Sequence, residues 1–412
     1  MKIGILTYHC VPNFGAQLQA ISTVGFFKRM GYDPIVLHWY PSDLEQMYDK
    51  RIPQIQIDEH STFTSEVLPI SHLCRTEKEL VNEIKRCKIE AVFVGSDALF
   101  KYVPQSNRRV FSKKKLRYIY YKIISVEELN NNPFFGGFLS KLPQSISAYA
   151  FSVSSQNCPF FAMNANERML MKQCMGNYKS ITVRDEWTKR MVEEITGKNN
   201  IAITPDPVFS FNQNCYLKLP TKDEIFQKYK LKQDYILISF SKYYMNDLYI
   251  HKLSEEIVKM GFLPLILPMP EGCIDFGLKN KIELPLSPLE WYALIKYAKG
   301  YIGERMHPIV VALHNSVPFF CFDEYGTVER KYWGLKQKYI KQSSKTFLIL
   351  ERAHLLNFLF SYKEKKKFPE PSEVVNKILN FPVLKCTQFA NEYQEVYEKN
   401  MMNIINQIES LR

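Results

Sequence analysis

Apolar residues along this chain come in short blocks, and the segments between the blocks carry apolar positions at helical spacing. Residues 3–6, Ile-Gly-Ile-Leu, form the first block. Leu18, Ile21, Val24, Phe27 and Met30 then recur every three or four residues after Asn13-Phe14-Gly15-Ala16, and Gly31 stands where a helix would end. Strands are predicted at 35–37 and 91–94, the latter stopped by Gly95-Ser96-Asp97. The alternation runs on through a strand at 145–151, a helix at 165–175, a strand at 180–183, a helix at 185–194 and a strand at 201–204. After a polar stretch with Pro220, a second series begins. It has strands at 235–240, 263–267, 301–302 and 317–322, with helices at 248–260, 288–298 (capped by Ser287) and 308–313. Beyond residue 352 the chain reads as helical, with an amphipathic run over 389–408.

Strand and helix signals that alternate in this way predict parallel sheets with crossover helices. The expected organisation is an α/β domain over 1–210, a linker over 211–232, a second α/β domain over 233–350 and C-terminal helices over 351–412. In such sheets a ligand sits outside the carboxyl ends of the strands, so the site is expected in a cleft between the halves.

Composition narrows the class. A chain of 412 residues exceeds what one core ordinarily serves. With 46% hydrophobic and 23% charged residues it falls among globular proteins, not disordered ones. No apolar run approaches the ~18–20 residues that span a bilayer. The first residues read as a strand and not as a signal peptide, so a cytoplasmic protein is expected. Nine cysteines without a CxxC pair predict neither a disulfide scaffold nor a zinc site, and residues such as Cys321 are expected as reduced core. The net charge of +12 suits anionic small molecules, while no nucleic-acid-binding module is recognisable. The basic segment Arg108-Arg109, Lys113-Lys114-Lys115 and Arg117, with Tyr118, Tyr120 and Tyr121, is also compatible with peripheral contact at the inner, anionic face of a membrane.

Four places carry candidate chemistry. Gly303-Glu304-Arg305-Met306-His307-Pro308 lies between a strand and a helix. That position offers free backbone N–H groups, a guanidinium fork for carboxylate or phosphate, and an imidazole that titrates near neutrality. Arg184-Asp185 ends a strand, as an anion ligand or as an ion pair at a helix start. In Gly95-Ser96-Asp97, Asp97 either accepts a proton from a sugar hydroxyl or caps a helix. The loop at Asn13 and Gly15 can approach a substrate closely, but it lacks the glycine pattern of a nucleotide loop. In Pro205-Asp206-Pro207 the prolines read as a rigid connection. Trp39, Tyr40, Trp291 and Tyr292 have the rings to stack on sugars, but most of them are expected in the core. No cluster has metal-ligand spacing, so no metal and no cofactor are expected.

Taken in order, Asn13 to Ala16, Gly95 to Asp97, Asn132 to Phe135, Ser147 to Phe151, Arg184-Asp185, Asp206 to Phe209, Arg305-Met306-His307 and the block 317–322 resemble the polysaccharide pyruvyltransferase family over roughly residues 1–345. The resemblance implies two Rossmann-like domains in a GT-B-type arrangement. It also implies transfer of a pyruvate group from phosphoenolpyruvate to a saccharide acceptor as a cyclic ketal, in bacterial surface or capsular polysaccharide synthesis, with a lipid-linked acceptor compatible with a basic cytoplasmic enzyme. Arg305, and less directly Arg184, are then the expected ligands of the donor's anions, with Asn13, Gly15 and Ser96 as further substrate contacts. His307 is the expected acid, and Asp97 the base with Glu304 as alternate. Glu304 stands where the family more often has a small or hydroxyl residue, and Pro308 where it has a small one. The competing readings are a GT-B glycosyltransferase using a nucleotide sugar and a non-catalytic sugar-binding subunit.

Overall fold

The computed structural model describes residues 1–112, 117–120, 123–331, 336–364 and 367–410. Lys113, Lys114, Lys115 and Tyr121 of the basic segment therefore lie outside the described residues.

Two all-parallel sheets organise the chain. The first has six strands in the spatial order Asp33–Val36, Lys2–Leu6, Ala91–Val94, Ser147–Val153, Ser180–Val183 and Ala202–Ile203. The second has five, ordered Leu263–Ile266, Tyr235–Ser239, Gly300–Gly303, Phe319–Asp323 and Leu359–Ser361. In both, the first strand in sequence lies between the second and the third, so each sheet has one switch point where its strand order reverses. The central strands of both sheets are buried on both faces, which is why they appear in the sequence as continuous apolar blocks and not as alternation.

Most predicted elements appear within a few residues of their expected places; the exceptions have physical reasons. The strand Leu359–Ser361 falls in a region predicted to be helical, and its three residues are too short to register as a period. The stretch 211–232 is not bare chain: it holds the helices Phe211–Asn214 and Lys222–Lys228. The helix predicted at 308 begins at Met306. Pro308 fits its first turn, where an absent N–H leaves no hydrogen bond unmade. His307 thus belongs to the helix itself, with Arg305 as the extended residue before it.

The halves share one continuous apolar core. Phe14 of the first stacks on Trp291 of the second, with ring centroids 5.2 Å apart. The Gln56 side chain exchanges two 2.9 Å hydrogen bonds with the backbone of Leu286. The last helix, Val383–Glu409, returns to the first half, setting Tyr397 against Phe26 and Phe151 and Glu398 against Arg29 at 2.7 Å. All nine cysteines are free. Among the described residues no helix is long and apolar enough to cross a membrane.

Candidate active site

A cleft of about 580 Å³ opens between the carboxyl edges of the two sheets. From the first half it is lined by Tyr8, Asn13, Phe14, Gly15 and Asp97; from the second, by Glu271, Arg305, His307, Tyr325 and Lys345. The first-half residues follow the first and third strands, so the cleft lies at that sheet's switch point.

Two helix N-termini meet there. Asn13 caps the helix Phe14–Arg29 by accepting the Ala16 N–H at 3.2 Å. Gly15 faces the start of the helix Met306–His314 so closely that a Cβ on it would lie 2.1 Å from Cγ of His307. The glycine is required by this contact between the halves, and not by its backbone angles. Both helix dipoles point positive charge at the opening, which favours an anion.

His307 Nε2 is buried and has no hydrogen-bond partner among the described residues. Burial, with Lys345 and Arg184 nearby, holds the imidazole below its ordinary range despite the opposing pull of Asp97 and Asp206. The shift favours the neutral imidazole over the imidazolium. Arg305 reaches Glu271 at 3.3 Å and keeps 36% of its side chain exposed, so its guanidinium remains available on the wall.

Asp97 is 8% exposed and its backbone adopts φ 107, a conformation uncommon for a residue with a side chain. Gly95 before it packs so tightly that a Cβ would meet the Phe151 carbonyl at 2.0 Å. Asp97 caps no helix; its carbonyl accepts the N–H groups of Leu99 and Ser154, and its carboxyl turns back on the Ala98 N–H.

Arg184 departs from its expected place. It pairs with Asp206 at 2.6 Å and stands 3.8 Å from Asp97, behind the cleft wall. It lines a separate inner pocket of about 170 Å³ and not the cleft. Its neighbour Asp185 caps the helix Glu186–Thr196 through the Thr188 N–H at 2.7 Å, so the two do not pair with each other. Arg184 is thus anchored by Asp206, between its two prolines, and faces Asp97 as a charge without a hydrogen bond, its Nε and Nη2 having no hydrogen-bond partner among the described residues.

Ser96 also fails to reach the cleft. It is fully buried, and its hydroxyl donates to the Ser152 carbonyl, its N–H to Gln19, while its carbonyl accepts from Thr7. All its polar groups are used within the fold.

Glu304 points into a second, smaller crevice of about 70 Å³ at the switch point of the second sheet. Its carboxylate accepts the Ser241 N–H at 3.0 Å and the Tyr362 hydroxyl at 2.8 Å, and does not pair with Arg305. Burial raises this carboxyl above its ordinary range in spite of those two donors. Trp39, Trp291 and Tyr292 are buried in the core. Among the described residues no group of three or more His, Cys, Asp or Glu side chains could hold a metal ion.

Six of the cleft's charged residues, Arg51, Lys101, Glu127, Glu271, Glu324 and Lys345, were not singled out in the sequence. Lys345 opens the helix Lys345–Arg352, and Glu271 lies in the loop after the strand Leu263–Ile266. Ser344 was a legible N-cap for that helix, but nothing local shows that the helix returns to the cleft.

Two Rossmann-like domains with one open cleft between their carboxyl edges define the GT-B class. Solved structures share this fold. A UDP-GlcNAc 2-epimerase from Neisseria meningitidis bound to UDP-GlcNAc superposes with TM-score 0.51 at 12% identity, covering 99% of this chain and 100% of that one. The Arabidopsis thaliana protein UGT89C1 complexed with quercetin superposes with TM-score 0.50 at 9% identity, covering 99% of both chains. At such identities they speak for the fold alone. No curated protein matches the chain by sequence. The profile of the polysaccharide pyruvyl transferase family matches residues 13–325, and the chain belongs to that family.

Proposed function

We propose that this enzyme transfers the pyruvate group of phosphoenolpyruvate to a saccharide as a cyclic ketal, during synthesis of a bacterial surface or capsular polysaccharide. The observation that carries the reading is the convergence on one cleft of Arg305, His307 and two helix N-termini, from both halves. The donor bears a carboxylate and a phosphate, and such a cluster suits a small dianion.

Ketal formation needs one proton delivered to the donor's methylene carbon and a proton removed from each of two sugar hydroxyls. Asp97, with the Arg184 guanidinium 3.8 Å behind it, is set to accept one of these. His307, shifted toward the neutral form before the donor arrives, is equipped to accept a proton; the acid role expected for it requires the donor's charge to raise it first. Arg305 meets the charge that stays on the donor, and its electrostatic contribution is largest where water is excluded.

The fold relatives keep a nucleotide-sugar glycosyltransferase in view. The Glu304 carboxylate counts against it, because it occupies the switch point of the second sheet, where a nucleotide's phosphates would need positive charge. On this reading the protein works in the cytoplasm on an acceptor that is compatible with a lipid link at the inner membrane face, in keeping with a net charge of +12.

The test is incubation of the purified protein with phosphoenolpyruvate and candidate glycans, followed by mass spectrometry and a phosphate assay. Phosphate release together with a pyruvate ketal on a glycan, without any nucleotide, is the expected outcome. Glycosyl transfer from a nucleotide sugar in its place overturns the reading.

A further inference from the structure

Lys345 lies twenty residues beyond the end of the family match, yet its side chain forms part of the wall shared by the cleft and the inner pocket. It is held there from two sides. Ser344 before it caps the helix by accepting the Phe347 N–H at 3.2 Å. The same hydroxyl donates to Asp323 at 2.6 Å, which ties the helix start to the carboxyl end of the strand Phe319–Asp323. The Lys345 ammonium sits 4.4 Å from the ring centre of Tyr325, and no carboxylate pairs with it among the described residues. The charged and titratable groups around it are Arg184, Arg305 and His307, against Asp97 and Asp323.

This environment is unusual for a lysine. Burial first, then the guanidiniums of Arg184 and Arg305, push the ammonium down to about 8, with Asp97 and Asp323 opposing. A group that is charged at neutral pH but holds its proton weakly is a good general acid. The imidazole of His307, by contrast, is shifted toward the form without the proton that the first step consumes.

Resting on the pyruvyl-transfer reading, we propose that Lys345 is the proton donor to the methylene carbon of phosphoenolpyruvate. The N–H bond of the ammonium breaks as the enol double bond supplies the electron pair for a new C–H bond, and positive charge develops at the central carbon. A sugar hydroxyl oxygen adds there, and its proton passes to Asp97 or His307. The carbon–oxygen bond to phosphate then breaks, and phosphate leaves with that pair. A second hydroxyl closes the ketal, and its proton leaves on the phosphate. The proton held by Asp97 or His307 returns to the Lys345 amine. One donor and two hydroxyls thus yield one ketal and one hydrogen phosphate, with the enzyme unchanged.

The experiment compares the pH profile of phosphate release for the full chain, Lys345→Arg and Lys345→Met, using phosphoenolpyruvate and a panel of nitrophenyl hexosides. For the wild type, kcat/KM, which reports the free enzyme, is expected to fall along an alkaline limb near pH 8. Lys345→Arg keeps the charge, so the donor KM stays close to wild type. Its guanidinium cannot give up a proton, so kcat drops about 100-fold or more and the limb near pH 8 disappears. Lys345→Met is expected to lose both donor affinity and kcat; if it does not fold, the arginine variant decides alone. Wild-type kcat and an unchanged alkaline limb in Lys345→Arg overturn the assignment and leave the pyruvyl-transfer reading standing. A wild-type protein that releases no phosphate with any acceptor, but transfers from a nucleotide sugar, removes that reading and this assignment with it.

Discussion

The two sheets have the same strand reversal but opposite switch points. In the first, the loops after Leu6 and Val94 part to leave the large cleft, and glycine and asparagine keep its floor low. In the second, the loops after Ser239 and Gly303 are joined by one carboxylate, as Glu304 bonds across to Ser241 and Tyr362. One topology therefore gives a receptive opening in one half and a plugged one in the other. Topology fixes where a ligand can sit; whether it does so depends on the charge and bulk of a single side chain there.

This contrast can be broken at several points. The largest effect is expected from Arg184→Met, which strands Asp206 and Asp97 as buried carboxylates behind the open switch point. Unfolding by denaturant should show a loss of about 3–5 kcal/mol. A loss of donor affinity with stability unchanged would instead make Arg184 a ligand. Next come Arg305→Ala and His307→Ala, each expected to lower ketal formation roughly 100- to 1,000-fold with the melting transition retained. Wild-type turnover by either folded variant removes that residue from the site.

Gly15→Ala tests how closely the halves approach. Its methyl group would overlap the His307 ring, so about 1–3 kcal/mol of stability and much of the activity should be lost together. Unaltered melting and activity would mean that the helices can spread at no cost.

The smallest effect concerns the plugged switch point. The Glu304 carboxyl is raised by burial, so the stability it lends is present below the unfolded carboxyl pKa and is lost as pH rises through the folded value. Glu304→Gln removes that dependence. The variant should gain on the wild type in thermal melts as pH climbs through the carboxylate range. A difference independent of pH would mean that the carboxyl is not raised.

The fold was largely legible because buried parallel strands leave apolar blocks that a reader can count, and a cap such as Ser287 marks where a helix begins. The strand Leu359–Ser361 was not, since three residues carry no period. At the site, the arginine and histidine flanking Met306 could be placed because a strand, a turn and a proline bracket them. Arg184, Ser96 and Glu304 were assigned from the same local logic and proved to face elsewhere. Their direction depends on residues 22, 56 and 63 positions away, namely Asp206, Ser152 and Ser241. Lys345 escaped notice for the same reason: its importance arises from Arg184, Asp97 and Arg305, none of which is near it in sequence.

The returning C-terminal helix limits how this enzyme can admit its acceptor. Tyr397 lies on Phe26 and Phe151, and Tyr393 lies on Phe209, so a wide swing of one lobe from the other would expose rings worth roughly 1.5–3 kcal/mol each. Jaw-like gaping around a bulky glycan is therefore disfavoured. The slot between the lobes would then have a width set when the chain folds, and on the proposed reading this predicts that slender, terminal sugars are better acceptors than branched internal ones.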